Sequence, residues 1–196
     1  MYLEQEHGFA VRDERMMQMA RPDYQKPIKI CLLGAKKVGK KAFAFRFAKG
    51  YYNLDSVLEF TPVLKKIEIG NRHLQIVMVI TPSEQESLMH QFARGSDIII
   101  IIYDTTSRAS FDTIRPIYQE ILPRLPAKPQ ARFVLLGNKS DLKQARQVGR
   151  DAAESLAKEL GNIPFFEVSC LTGNNYDGVM DFISSICSQT STARSK

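Results

Sequence analysis

Residues 34 to 41 read Gly34-Ala35-Lys36-Lys37-Val38-Gly39-Lys40-Lys41. Glycines at the first and sixth positions, followed by lysine, match the G-x-x-x-x-G-K-[ST] spacing at which a loop offers its backbone N–H groups to phosphate oxygens. Gly34, Lys37, Val38 and Gly39 would form the cradle, and Lys40 would reach the β- and γ-phosphates. The position after that lysine ordinarily carries a hydroxyl that ligates Mg²⁺, and here it is Lys41. The cradle and its lysine are present while a metal ligand is absent, so phosphate binding and phosphate hydrolysis are separate questions. The competing reading of the same residues is a basic strand-to-helix turn with no ligand.

A second set of groups follows the apolar run Val134-Leu135-Leu136: Asn138-Lys139-Ser140-Asp141. An aspartate at the end of a strand can accept hydrogen bonds from both N1–H and the exocyclic amine of guanine, a pattern that adenine does not offer. Asn138 can tether neighbouring loops, and the aliphatic stem of Lys139 can cover a base. An Asx-rich turn without a ligand is the alternative.

Both sets need elements that bring them together. Residues 28–33 (IKICLL) are an apolar run closed by Gly34, which predicts a buried strand, and from Lys40 a helical pattern runs to a stop at Gly50. That order aims the free N–H groups of a helix N-terminus at the loop. Residues 63–69 and 74–80 flank Gly70-Asn71-Arg72 as a hairpin would. A helix is expected over 83–94, a strand over 97–104, and a helix over 107–125 that Pro116 and Pro123 bend or end early. Further strands are expected at 132–136 and 165–168, with helices at 150–160 and 176–187. Apolar runs of strand length mark strands covered on both faces. The expected fold is a three-layer α/β sandwich of about six mostly parallel strands, with ligand loops at their carboxyl ends.

Length and composition agree with one such domain: 196 residues, 44% apolar and 24% charged. Residues 28–188 are expected to form it, with an N-terminal extension over 1–27 and a short polar tail over 189–196. No apolar run approaches a bilayer span, and the first residues lack the apolar centre of a secretory signal, which predicts a cytoplasmic protein. Cys31, Cys170 and Cys187 show neither metal nor disulfide spacing and read as buried thiols. The net charge of +6 is scattered apart from the 36–41 loop and the Lys65-Lys66 pair, so no nucleic-acid interface is expected.

At their mutual spacing these residues resemble the Ras superfamily of small GTPases, its Rab and Ras branches above all, over residues 28–187. The likeness includes Tyr103-Asp104-Thr105-Thr106-Ser107-Arg108-Ala109-Ser110-Phe111 and Ala157-Lys158-Glu159-Leu160. Asn138-Lys139-Ser140-Asp141 matches the family's N-K-x-D motif completely. Glu167-Val168-Ser169-Cys170-Leu171 looks like a worn form of its E-T-S-A-K loop. The resemblance implies the small G-protein form of the P-loop NTPase fold with GTP or GDP as ligand. It further implies that Ser169, Cys170 and Leu171 border the guanine, with the Cys170 N–H on its carbonyl, and that Tyr52 packs edge-on to the base.

The departures from the family bear on chemistry. Its D-x-x-G-Q element would fall on Ile80-Thr81-Pro82-Ser83-Glu84, where none of the three signature residues is kept. Ile80 cannot ligate metal, and Glu84 sets a carboxylate against the γ-phosphate charge. Together with Lys41, both protein anchors of Mg²⁺ are missing, and no catalytic residue is assigned. The interval from Lys40 to Ile80 is shorter than in the family, which leaves Thr61 an uncertain counterpart of its first-switch threonine. Lys36 replaces a residue the family commonly keeps small, and Cys187 does not stand where a prenylation signal would place it, so no lipid anchor is expected.

Two functions follow from the resemblance. One is a guanine-nucleotide-binding regulator with little or no hydrolysis, engaging protein effectors or regulators through its switch surface. The other is a pseudo-GTPase scaffold that binds no nucleotide.

Overall fold

The computed structural model describes residues 27–57, 62–69, 72–81, 88–126 and 131–194. Six strands form one sheet: β1 (Ile28–Leu33), β2 (Val63–Ile69), β3 (Arg72–Ile80), β4 (Ile98–Asp104), β5 (Arg132–Asn138) and β6 (Phe165–Glu167). Their order is β2-β3-β1-β4-β5-β6. Only β2 is antiparallel to its neighbour, with Val63 opposite Met78 and Ile69 opposite Arg72. The expected architecture is therefore observed.

Helices cover both faces, which is why the inner strands β1, β4 and β5 are largely apolar. All seven residues of β4 are buried. Ile98, Ile100 and Ile102 face a core built with Phe43, Phe47, Val179 and Ile183. Ile99, Ile101 and Tyr103 face a second core with Phe111, Ile117, Phe133 and Leu156. The alternation of side chains along a strand divides one isoleucine run between two helical layers. The first layer consists of α1 (Lys40–Lys49) and α6 (Tyr176–Arg194). The second holds α2 (Met89–Ala93), α3 (Arg108–Asp112), α4 (Ile114–Ile121) and α5 (Arg150–Glu159).

Two helices differ from the expectation for reasons of backbone chemistry. The span 107–125 divides at Thr113, where α3 ends and α4 begins. Pro116 has no N–H for the Asp112 carbonyl and its ring crowds that oxygen, so the helix restarts with Pro116 in its first turn. Pro123 then opens a single 3₁₀ turn over Leu122–Arg124. At the other end, α6 continues past Cys187 to Arg194. Apolar periodicity stops at Cys187, but serine hydroxyls bond back to the helix, Ser185 to the Phe182 carbonyl at 2.7 Å and Ser188 to that of Ser184 at 3.0 Å.

The beginning of the 83–94 helix, Gly70 and Asn71 of the hairpin turn, Thr61, Pro82, Ser83 and Glu84 lie outside the described residues, as does the segment 1–26. Among the described residues no helix is long and apolar enough to cross a membrane. Cys31, Cys170 and Cys187 are buried thiols, and burial pushes each up to about 12, so they stay protonated at neutral pH.

Candidate functional site

The parallel strands β1, β4, β5 and β6 all deliver their carboxyl ends to one edge of the sheet. The loop after β1 turns back at Gly34 (φ 136°), Lys37 (φ 61°) and Gly39 (φ 100°) before α1 begins at Lys40. Two of these turns require glycine. A Cβ on Gly34 would sit 2.1 Å from the Ile102 carbonyl oxygen of β4, and one on Gly39 would sit 2.1 Å from Asn138 Nδ2. The loop is thus pressed against two neighbouring strands, with no room for a side chain beneath it.

Lys40 is buried at 7% exposure, and its ammonium arches over its own loop, donating to the carbonyls of Gly34 and, at 2.8 Å, of Ala35. This holds the loop in a ring with the charge above it. Lys36, Lys37 and Lys41 are exposed around that ring. No acidic residue stands in the first turn of α1, so the helix N-terminus and the lysines present a field of one sign. At two positions where the motifs would place a metal anchor the side chain carries no oxygen: Lys41 projects an ammonium, and Ile80, 8% exposed, packs into the first core.

Asn138 ends β5 and ties three loops together. Its Nδ2 donates to the Val38 carbonyl at 2.9 Å, and its Oδ1 accepts from the Cys170 N–H at 3.1 Å. Its backbone carbonyl accepts from the Thr105 N–H at 3.0 Å. The Cys170 N–H, expected on a base carbonyl, is therefore turned toward Asn138. Lys139 takes φ 64°, uncommon for a residue with a side chain. It is held there by Thr105, whose hydroxyl donates to the Lys139 carbonyl at 3.1 Å, and by Asp104, whose Oδ2 accepts from Nζ at 2.5 Å.

Asp104 Oδ1 also accepts from the N–H and hydroxyl of Thr106, at 2.8 and 2.7 Å. Burial alone would raise the Asp104 carboxyl, but the bonds from Lys139 and Thr106 outweigh it and hold the group below its ordinary value of 3.8. Asp141 is half-buried beside Cys170, and its charge pushes that thiol upward against the opposing pull of Arg46. Among the described residues no side chain donates to the Asp141 carboxylate, which leaves both its oxygens available to a ligand.

The loop after β6 is built just as tightly. Ser169 is fully buried; its hydroxyl accepts from the Thr172 N–H at 3.0 Å and its carbonyl from the Gly173 N–H at 2.8 Å. Glu167, below it, is bound by both arms of Arg146 at 2.7 and 3.1 Å. Leu171 is 40% exposed at the tip. Tyr52, beyond the C-terminus of α1, packs edge-on to Phe45, ring centroids 6.0 Å apart.

The loops bearing Gly34 to Lys41, Asn138 to Asp141 and Ser169 to Leu171 meet at one sheet edge, as expected, while Tyr52 packs on Phe45. The sequence reading missed Arg46, whose guanidinium donates to the Cys170 carbonyl at 2.7 Å and to that of Leu171 at 3.0 Å. It also missed the roles of Asp104 and Thr105. The Tyr103-to-Phe111 likeness contained both of these, but neither stands in a motif that assigns a contact. Arg46 carried no signal beyond being a cation on a helix.

Comparison with known proteins agrees with this geometry. Residues 29–189 match the Ras family. Ras-related protein Rab-26 of Bos taurus is 31% identical over 159 residues, which are 79% of this chain and 61% of that protein. Ras-related protein Rab-37 of Homo sapiens is 30% identical over 80% of this chain and 71% of its own length. GTP-binding protein Rit1 of Mus musculus is 33% identical over 72% and 65% respectively. The match thus spans about three fifths of the Rab-26 chain. With a family match over most of its length and the six-stranded, mostly parallel sheet that the family's fold requires, the chain belongs to the Ras family.

Proposed function

We propose that this chain is a guanine-nucleotide-binding regulatory protein that holds GDP or GTP across the loops after β1, β5 and β6 and hydrolyses GTP very slowly or not at all. The observation that carries this reading is the Asn138 clamp. One amide holds the phosphate-type loop through Val38 and the base-type loop through Cys170, at 2.9 and 3.1 Å. A turn without a ligand has no need of such a bridge, whereas a nucleotide touching both loops requires their spacing to be fixed before it arrives.

In this reading Gly34, Lys37, Val38, Gly39 and Lys40 take the phosphates, and Lys139 covers the base from its anchor on Asp104. Asp141 accepts from the guanine amine and N1–H, and Ser169, Cys170, Leu171 and Tyr52 close around the ring. The residues at the metal positions do not suit a divalent cation, since the Lys41 ammonium and the sec-butyl group of Ile80 replace the oxygens. We assign the missing positive charge to Lys41, beside Lys36 and Lys37. Hydrolysis is slow because phosphoryl transfer depends on charge neutralisation by a metal and orientation of water, and Lys41, Ile80 and Glu84 replace the family residues that supply them. Signalling then rests on binding protein effectors or regulators.

Lys40 gives a second reading some support. Its ammonium already has two carbonyl partners within its own loop, as a scaffold without nucleotide would require.

Replacing Asp141 by Asn separates the two. The amide complements the carbonyl that xanthine carries in place of guanine's amine. The expected result is a loss of GDP affinity of about ten-fold or more with a gain for XDP, read by displacement of a fluorescent nucleotide. Unchanged GDP affinity would make Asp141 a turn residue and contradict the proposal.

A further inference from the structure

Arg46 stands in the last turn of α1, at the end opposite the phosphate-type loop, and its guanidinium is committed to three backbone carbonyls. Nε donates to Cys170 at 2.7 Å, one terminal nitrogen to Leu171 at 3.0 Å, and the other to Gly50 at 3.4 Å. The group also lies over the ring of Tyr176, 5.6 Å from its centroid, and the Tyr176 hydroxyl donates to the Phe43 carbonyl of α1 at 3.2 Å. Gly173 closes the seat: a Cβ there would come within 2.8 Å of the guanidinium.

These partners are not one surface. Cys170 and Leu171 belong to the loop after β6, whereas Gly50 ends α1 and leads into Tyr51 and Tyr52. One planar cation therefore joins two segments assigned to the surroundings of the base. It does so from the helix whose N-terminus carries the phosphate-type lysine. Bonds from a charged donor to carbonyls are among the stronger single contacts in a protein, and a planar fork loses little freedom in making several at once.

We infer that Arg46 is a positioning residue that sets how long a guanine nucleotide stays bound. It holds the loop of Cys170 and Leu171 against α1, so that opening the base side of the pocket requires breaking its bonds. The inference rests on the nucleotide-binding reading above. Arg46 touches neither the phosphates nor the base in this account. It should act on escape and not on capture, which the lysines of residues 36 to 41 govern by attraction of the phosphates.

The test uses the full chain loaded with fluorescent GDP and chased with excess unlabelled GDP, with association measured by stopped flow. In Arg46→Gln, release should quicken by about ten-fold or more, the equivalent of losing one charged hydrogen bond. Association rate and binding stoichiometry should stay within about two-fold of the native chain, since the lysines that attract the ligand are untouched. Arg46→Lys keeps the charge and the packing on Tyr176 but has no fork for diverging carbonyls, so its release should fall between the two, and it serves if the Gln variant does not fold. Release unchanged in Arg46→Lys and Arg46→Gln would overturn the inference. So would loss of stoichiometry with slower association, which would make Arg46 a support of the fold alone. A native chain that binds no GDP would overturn the nucleotide-binding reading and this inference with it, and the native measurement alone identifies that case.

Discussion

The side chain of Asn138 donates to the carbonyl of Val38 at 2.9 Å across a sequence separation of 100 residues. This bond decides where the loop after β1 sits relative to the one after β5. It is possible only because Gly39 has no side chain in the 2.1 Å gap above the same amide.

Asn138→Ala should therefore cost stability on two counts, because it leaves the buried Val38 carbonyl and the Cys170 N–H without their partner. A loss of about 2–4 kcal/mol follows from typical penalties for unpaired buried groups. Gly39→Ala should also destabilise, through its φ of 100° and its clash with Asn138. Combined, the two should cost less than their sum, since removing the amide removes the clash. Urea unfolding of the three variants checks this. Strict additivity would show that Asn138 and Gly39 do not meet as described.

The Asp104–Lys139 pair makes a prediction about acid. The folded carboxyl lies below its ordinary value of 3.8. Its contribution is complete above that value and is lost as pH falls through the lower folded one. The native chain should thus be more stable than Asp104→Asn near neutrality, and the gap should close as pH drops below 3.8. Unfolding midpoints from pH 7 downward measure it. A gap that persists in acid would assign the effect to packing instead of charge.

Hydrolysis should be slower than the intrinsic rate of a Ras-type GTPase, on the order of 10⁻⁴ per second. Lys41→Ser alone should not restore it, because Ile80 remains an apolar core residue. Single-turnover measurement with labelled GTP decides. A native rate at or above that level would mean that water and charge are managed by groups not identified here.

Much of the fold was legible because the central strands are apolar on both faces and several connecting loops begin or end on Gly34, Gly50 and Gly161. The phosphate-type and base-type loops were legible because their chemistry is concentrated in a few adjacent residues. Arg46 was not, because its closest partners are backbone carbonyls 124 and 125 positions away, and a carbonyl leaves no mark in the sequence. Asp104 was hidden similarly, since nothing local reveals that Lys139 will turn through a positive φ to meet it. A bend or early end of 107–125 at its prolines was expected, but the break falls at Thr113, because the carbonyl that Pro116 displaces lies four residues before it.

In the proposed site, lysines take the place of a metal ion in holding guanine nucleotide. Titration of fluorescent GDP into the native chain, once with Mg²⁺ and once with EDTA, tests this most directly, with Lys41→Ala as the companion variant. Saturable binding of nearly equal affinity in both buffers, with a marked loss in Lys41→Ala, is the predicted result. Binding that appears only with Mg²⁺, or no binding in either buffer, would contradict the account.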